Sequence, residues 1–192
     1  MTPRFPAAMA ATTSEPMTAP QERLAFETLF QEQWSKVYRI IFRLVGDHAE
    51  AEDLTLEAFW RLYRAHGTDG KLENPTGWLY RVAVNLGYNA LRAFKRRGQY
   101  EEKAGVHILE DAPDGDPAEA LERSQEREQV RIALTALKPR STKLLILRHS
   151  GCSYQEIAQV LQVSYNSVGT LLARAEREFE RAYYRLNQGK TR

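Results

Sequence analysis

A chain of 192 residues has room for one domain or two small ones, and its 27 basic against 25 acidic residues leave a net charge of only +2. Leu, Ala, Glu and Arg dominate and alternating β-branched runs are absent, which excludes a sheet protein and predicts an all-α fold. No stretch approaches the roughly 20 apolar residues of a membrane span, and the single Cys152 excludes an internal disulfide and fits a reducing cytoplasm.

Residues 1–21, rich in Ala, Thr and Pro, lack the apolar core of a signal peptide and read as a disordered tail. Phe26, Phe30, Trp34, Val37, Ile41 and Leu44 then recur at steps of three and four, predicting an amphipathic helix over 22–45 that Gly46 stops. Asp47 and Glu50 make a capping-box-like start for the next helix, from His48 to about Ala65. Its apolar surface is wide. Ala51, Leu54, Ala58 and Leu62 form one stripe, Leu56, Trp60 and Tyr63 lie well round from it, and Glu50, Asp53 and Glu57 occupy the remainder. Packing on one core needs a stripe of only about 100°. The extra apolar area rimmed by carboxylates therefore suggests a partner protein with basic residues, the alternative being a helix buried on two sides in its own domain.

A third helix starts at Asn74-Pro75, an N-cap followed by Pro at the first helical position, and runs toward Arg97. Leu79, Val82, Ala83, Leu86 and Ala90 give its buried face. A second stripe interleaves aromatic, amide and cationic side chains: Trp78, Arg81, Asn85, Tyr88, Arg92 and Lys95, ending in Arg96 and Arg97. Aromatics stack on unpaired bases and cations hold phosphates, so this face suits single-stranded nucleic acid; a solvated, snorkelling face is the alternative.

The small net charge conceals an asymmetry. Residues 98–126 carry −7, leaving +9 on the rest of the chain. This stretch includes Asp-Ala-Pro-Asp-Gly-Asp-Pro, which no regular element tolerates, so residues 98–125 are expected to be an acidic linker between domains at 22–97 and 126–187, with a tail at 188–192. In the second domain Ser153 and Glu156 form an S-x-x-E capping box, Val163 sits in a tight turn, and Ser164 precedes a further helix. If Val168, Leu171, Leu172, Ala175 and Phe179 face inward, Asn166, Thr170, Arg174, Arg177 and Arg181 share the outer face. This is the pattern of a DNA-reading helix-turn-helix, with an ordinary helical hairpin as the alternative.

Three stretches in register resemble the extracytoplasmic-function sigma factors of bacterial RNA polymerase, in the sigma-70 family. They are Gly46 to Tyr63 (GDHAEAEDLTLEAFWRLY), Pro75 to Leu86 (PTGWLYRVAVNL), and Ala136-Leu-Lys-Pro139 through Glu176. The resemblance implies a promoter-specificity subunit with two small helical domains. In the first, Glu50, Asp53, Leu54, Leu56, Glu57, Phe59 and Trp60 would dock on the polymerase clamp helices. Trp78, Arg81, Asn85, Tyr88, Arg92, Lys95, Arg96 and Arg97 would capture the melted downstream promoter element. In the second, Ser164, Tyr165, Asn166, Ser167, Thr170, Arg174 and Arg177 would read the upstream element as duplex. The implied partners are RNA polymerase core (clamp helices and flap), promoter DNA, and an anti-sigma factor or other regulator. Departures from the family pattern are Leu56 for the usual Gln, Lys138 for Leu, Gln162 for Gly in the turn, and Gly169-Thr-Leu171 for a Lys-Ser-Arg run.

No P-loop, zinc-ligand cluster or nucleophile with a spaced base stands in the sequence, so no enzyme, cofactor or metal site is expected. The principal rival reading is a two-domain helix-turn-helix regulator whose first domain senses a ligand. A hydrolase holding a metal on Glu50, Asp53 and Glu57 is more distant, because no second helix supplies matching acids.

Overall fold

The computed structural model describes residues 19–68, 72–104 and 117–188, which form seven helices and no strand. Helix α1 (Ala19–Val45), α2 (His48–Thr68) and α3 (Pro75–Ala104) make one block; α4 (Pro117–Thr135), α5 (Pro139–His149), α6 (Tyr154–Leu161) and α7 (Tyr165–Gln188) make the other.

Local chemistry sets the helix starts of the first block. The Asp47 carboxylate accepts from the Glu50 N–H at 2.6 Å and Asn74 Oδ1 from the Gly77 N–H at 2.8 Å, each satisfying a donor that the first helical turn leaves open. Gly46, at φ +77°, ends α1 in the left-handed conformation that glycine reaches at no steric cost. Val37, Ile40, Ile41 and Leu44 of α1 are buried against Ala51, Ala58, Phe59 and Leu62 of α2 and Leu79, Tyr80, Ala83, Val84 and Leu91 of α3. Helices α1 and α3 approach closely at Gly87, where a Cβ would lie 2.7 Å from Leu44 Cδ1. At the other end of α1, Phe26, Phe30 and Trp34 surround the Phe59 ring, with Phe30 4.6 Å away between centroids.

The second block is a helix-turn-helix braced by two further helices. Ser153 Oγ accepts from the Glu156 N–H, and Glu156 Oε2 accepts from the Ser153 N–H at 2.6 Å, so the capping box read from the sequence is formed. Gln162 turns the chain at φ 52°, ψ 52°. A side chain there costs roughly 1–2 kcal/mol relative to glycine in the left-handed region. Val168, Leu172 and Ala175 of α7 pack with Ile157 and Val160 of α6 and with Leu144 and Leu147 of α5. Thr142, fully buried, donates its hydroxyl to the Leu134 carbonyl and ties α5 to α4.

The linker expected over 98–125 is shorter than its charge suggested. Helix α3 continues to Ala104 and α4 begins at Pro117, so both ends of that span are helical. Acidic charge does not oppose a helix when Glu, Ala and Arg supply the propensity, and Pro117 stands at the first helical position, where its missing N–H has no partner to lose. The Asp111–Asp116 stretch lies outside the described residues, as do residues 1–18 and 189–192 of the expected tails; α1 already begins at Ala19. The two blocks also touch: α3 packs against α4, α5 and α6, and α1 against α5.

Candidate protein and nucleic-acid interfaces

Helix α2 sorts its residues onto distinct faces by the 3.6-residue period. Ala51, Thr55, Ala58, Phe59 and Leu62 turn inward. Leu56, Trp60 and Tyr63, at steps of four and three, stand on the outside with 52%, 55% and 55% of their surface exposed. The Trp60 and Tyr63 rings stack at 6.0 Å. Burial on two sides is thereby excluded for this stripe within the described chain. Asp53 is exposed beside it, and Glu57 accepts from Arg61 Nε at 2.7 Å, an exposed i,i+4 pair of the kind worth little to stability. Glu50 and Leu54 are half-buried.

Phe59 does not belong to this outer set. It is 2% exposed and closed in by Phe26, Phe30 and Trp34, so it cannot present its ring to a partner. Phe59 lies four residues after Thr55 and three before Leu62, both buried, so the helical period puts it on the inner face. Tyr63, absent from the expected docking set, takes its place on the surface; the step from Leu56 to Trp60 to Tyr63 is the signal that identifies it.

On α3, Trp78 is half-buried and packs on the core, leaving it a partial role in any outer stripe. Arg92, Lys95, Arg96 and Arg97 are exposed. The middle of the stripe faces the second block. Arg81 donates to the Gln159 carbonyl at 3.0 Å and the Val160 carbonyl at 3.2 Å. Asn85 Oδ1 accepts from Lys143 Nζ at 2.6 Å, and the same ammonium lies 5.4 Å from the centroid of the Tyr88 ring. Burial holds the Lys143 ammonium below the ordinary lysine range. Lys95 Nζ donates to the Thr135 carbonyl at 3.2 Å.

A further clasp joins α1 to α6. Lys36 Nζ lies 2.7 Å from Glu156 Oε1 and 4.9 Å from the centre of the Tyr80 ring. Burial opposes the charged form of both partners, but the ion pair prevails: the Lys36 ammonium is held above its ordinary range, and the Glu156 carboxyl below its own with help from Ser153. One carboxylate thus caps α6 with one oxygen and holds α1 with the other.

The start of α7 is open. Tyr165, Asn166, Ser167, Thr170, Arg174 and Arg177 are exposed while Val168, Leu172 and Ala175 are buried. Ser164 is exposed at the turn, its carbonyl accepting from the Ser167 N–H. Tyr154, at the start of α6, meets Tyr165 edge to face at 6.4 Å and adds an aromatic to this end that the sequence reading did not single out. Gly169 leaves ordinary van der Waals space beside Tyr154, with its notional Cβ 3.7 Å from the ring. Cys152 is buried, and its thiol is pushed up to about 12 by that burial, which makes it a packing residue and not a nucleophile. Among the described residues no group of three or more His, Cys, Asp or Glu is arranged to hold a metal, and no helix is long and apolar enough to cross a membrane.

Residues 29–97 match the family model described as Sigma-70 region 2, and residues 127–179 match that of Sigma-70, region 4. The chain is 31% identical over 170 residues to the RNA polymerase sigma-H factor of Pseudomonas aeruginosa, across 84% of this chain and 87% of that protein. It is 30% identical over 159 residues to the ECF RNA polymerase sigma factor SigE of Mycolicibacterium smegmatis, covering 80% of this chain and 60% of that one. To the ECF RNA polymerase sigma factor SigG of Mycobacterium tuberculosis it is 32% identical over 161 residues, covering 72% of this chain and 43% of that one, so it spans only part of these two longer relatives. Among solved structures, the sigma factor RpoE of Bartonella quintana, in complex with the anti-sigma factor NepR, shares the fold at a TM-score of 0.53 and 20% identity, over 82% of this chain and 96% of that one.

Proposed function

Because this chain belongs to the sigma-70 family, among its extracytoplasmic-function sigma factors, we propose that it directs RNA polymerase core to a specific set of promoters and melts them for initiation. The observation that carries the residue-level reading is the exposed Leu56–Trp60–Tyr63 stripe rimmed by Asp53 and Glu57. An apolar face of this kind stays on the surface of a folded chain when another protein covers it. We assign it, with Glu50 and the partly accessible Leu54, to the clamp helices of the core, and the second block to the flap.

Arg81, Asn85, Tyr88, Arg92, Lys95, Arg96 and Arg97, with the accessible part of Trp78, receive the exposed strand of the downstream element. Stacking on an aromatic is worth about 1–3 kcal/mol per base and tolerates any base, while amide and guanidinium groups read edges and hold phosphates. The outer face of α7 enters the major groove of the upstream element, where Asn166 pairs with adenine and Arg174 with guanine; Ser164, Tyr165, Ser167, Thr170 and Arg177 position it. Gly169 and Leu171 weaken the phosphate grip there. The chain is read as a cytoplasmic regulator with no catalysis of its own. A sigma factor of the same fold is held by an anti-sigma factor, and we extend that mode of control, by an anti-sigma factor or another regulator, to this protein.

Run-off transcription with core polymerase on a promoter library tests the reading. Changing Asp53 and Glu57 to Lys is expected to abolish holoenzyme assembly with helical circular dichroism unchanged. Co-purification of that double variant with core at the wild-type level would remove the docking assignment.

A further inference from the structure

We propose that the cleft between α1 and helices α4, α5 and α7 is a binding site for a free, single-chain anionic amphiphile, an alkyl carboxylate of medium chain length. The cleft holds about 590 Å³, within the range of small-molecule sites, and is lined from both blocks. Its inner surface is apolar: Phe42 of α1, Val130 and Leu134 of α4, Leu145 and Ile146 of α5, and Phe179 of α7. None of these belongs to the promoter-reading or polymerase-docking faces, so the site stands apart from those assignments.

The charge lies at the rim, and it is arranged in pairs. Arg39 and Arg43 are one turn apart on α1, and Arg127 and Arg131 one turn apart on α4. Like charges at i,i+4 on one helix oppose each other, and two such pairs line this one opening. Four guanidinium groups stand against the two carboxylates of Glu126 and Glu176, with His149 beside them. An anion placed among the guanidinium groups relieves their repulsion.

Two of the four arginines are already fixed. Arg39 Nε donates to the Ser35 carbonyl at 3.2 Å, and the Arg131 guanidinium lies 3.8 Å from the centre of the Phe94 ring. A Cβ at Gly46 would meet Arg131 Cδ at 3.0 Å, so the bare glycine lets α4 come up against the end of α1 and close that side of the cleft. Arg43 and Arg127 are exposed and make no hydrogen bond or ion pair with a described residue, which leaves their planar donor forks for a carboxylate.

The lining also selects the rest of the ligand. Among the described residues around the cleft there is no hydroxyl or amide side chain. A nucleoside or a sugar would bury its polar edges there without partners, at a cost that an alkyl chain does not incur. A bilayer is excluded by shape, because Leu134, Leu145 and Ile146 are buried at the bottom of the cleft, where a flat surface does not reach. The chain of the ligand therefore lies along Phe42 and Phe179, with its carboxylate toward Arg43 and Arg127.

The test is calorimetric titration of the full chain with dodecanoate below its micelle concentration, alongside decanoate, octanoate and dodecyltrimethylammonium. Dodecanoate is expected to bind one to one, with a negative heat-capacity change and a raised melting midpoint. Each pair of methylenes removed should weaken binding by roughly tenfold or more, as burial of the chain requires. The ammonium with the same tail should bind roughly tenfold or more weakly, for want of the charged hydrogen bonds. Arg43→Gln combined with Arg127→Gln should cost dodecanoate about tenfold in affinity, with circular dichroism and the dependence on chain length unchanged. Val130→Trp, which fills the cleft, should abolish binding; the arginine variant, altered only at the surface, covers the case in which tryptophan disturbs the packing. Several molecules bound per chain, or equal affinity for the ammonium, would overturn the inference as adventitious detergent binding. Absence of saturable binding, or an affinity unmoved by either variant, would overturn it too. Binding of anionic phospholipid vesicles or of a mixed-sequence oligonucleotide through the same arginines, with no response to the free acid, would give the cleft to a membrane or to nucleic acid and overturn it as well.

Discussion

Phe59 and Trp60 are adjacent in the chain and should respond to alanine in opposite ways. Phe59 is 2% exposed among Phe26, Phe30 and Trp34 of α1. Removing a buried phenyl ring costs about 3–5 kcal/mol through lost transfer energy and the cavity left behind. For a chain of this size each kcal/mol shifts the melting midpoint by roughly 2–4 °C, so Phe59→Ala should lower it by about 10 °C. Trp60 has 55% of its surface in solvent and touches Tyr63 mainly by an exposed stack. Its truncation should stay within about 0.5 kcal/mol of wild type, as surface changes generally do. A central aromatic of an interface, however, commonly carries 2 kcal/mol or more of binding energy. Trp60→Ala should therefore weaken core polymerase binding by roughly 30-fold or more while melting normally. Differential scanning calorimetry and a titration against labelled core measure the two quantities. Equal melting shifts for the two variants would refute the face assignment of α2, and undiminished polymerase binding by Trp60→Ala would refute its docking role.

Gly87→Ala places a methyl against Leu44, whose Cβ lies 3.2 Å from the new atom and whose side chain is fully buried. Overpacking of about 1–3 kcal/mol exceeds the helix gain of roughly 0.5–1 kcal/mol, so the midpoint should fall by a few degrees; a rise would mean that α1 yields freely. Arg174→Ala should relax preference at one or two upstream positions by about 1–3 kcal/mol each in a promoter-library selection, with downstream preference intact. Gly169→Lys, which meets no clash at Tyr154, should strengthen duplex binding across sequences and steepen its salt dependence, since it adds a phosphate contact; a sequence-selective gain would contradict this. The contact between α1 and α6 should depend on pH through Lys36 and Glu156. With the Glu156 value lowered from the ordinary 4.5, its contribution is complete above that value and is lost as pH falls through the depressed one; with Lys36 raised from the ordinary 10.5, its contribution is complete below that value and is lost as pH rises through the raised one. Burial pushes the neighbouring Tyr80 hydroxyl and Cys152 thiol up, Cys152 to about 12. Scattering should show a constant radius of gyration across that window, rising at either limit, and Glu156→Gln should abolish the acid limb; an unchanged acid limb in that variant would place the titration elsewhere.

What the sequence disclosed and what it hid divide along contact range. The starts at Asp47, Asn74 and Ser153 were legible because a cap is made by residues three apart, and the two faces of α2 because the helical period is a property of the chain alone. Phe59 joins the docking set only by resemblance, whereas its spacing of four from Thr55 and three to Leu62 places it inward. The end of α3 and the start of α4 are hidden because charge does not decide helix formation, and the Pro- and Gly-bearing motif between them does not mark how far the flanking helices reach. The contacts between blocks had no local signature. Lys36 and Glu156 are 120 residues apart, Lys143 and Asn85 58 apart, and each looks in isolation like an ordinary surface residue. Even the visible motif was only half understood: Glu156 could be read as a cap, but not as a cap with a spare oxygen for α1.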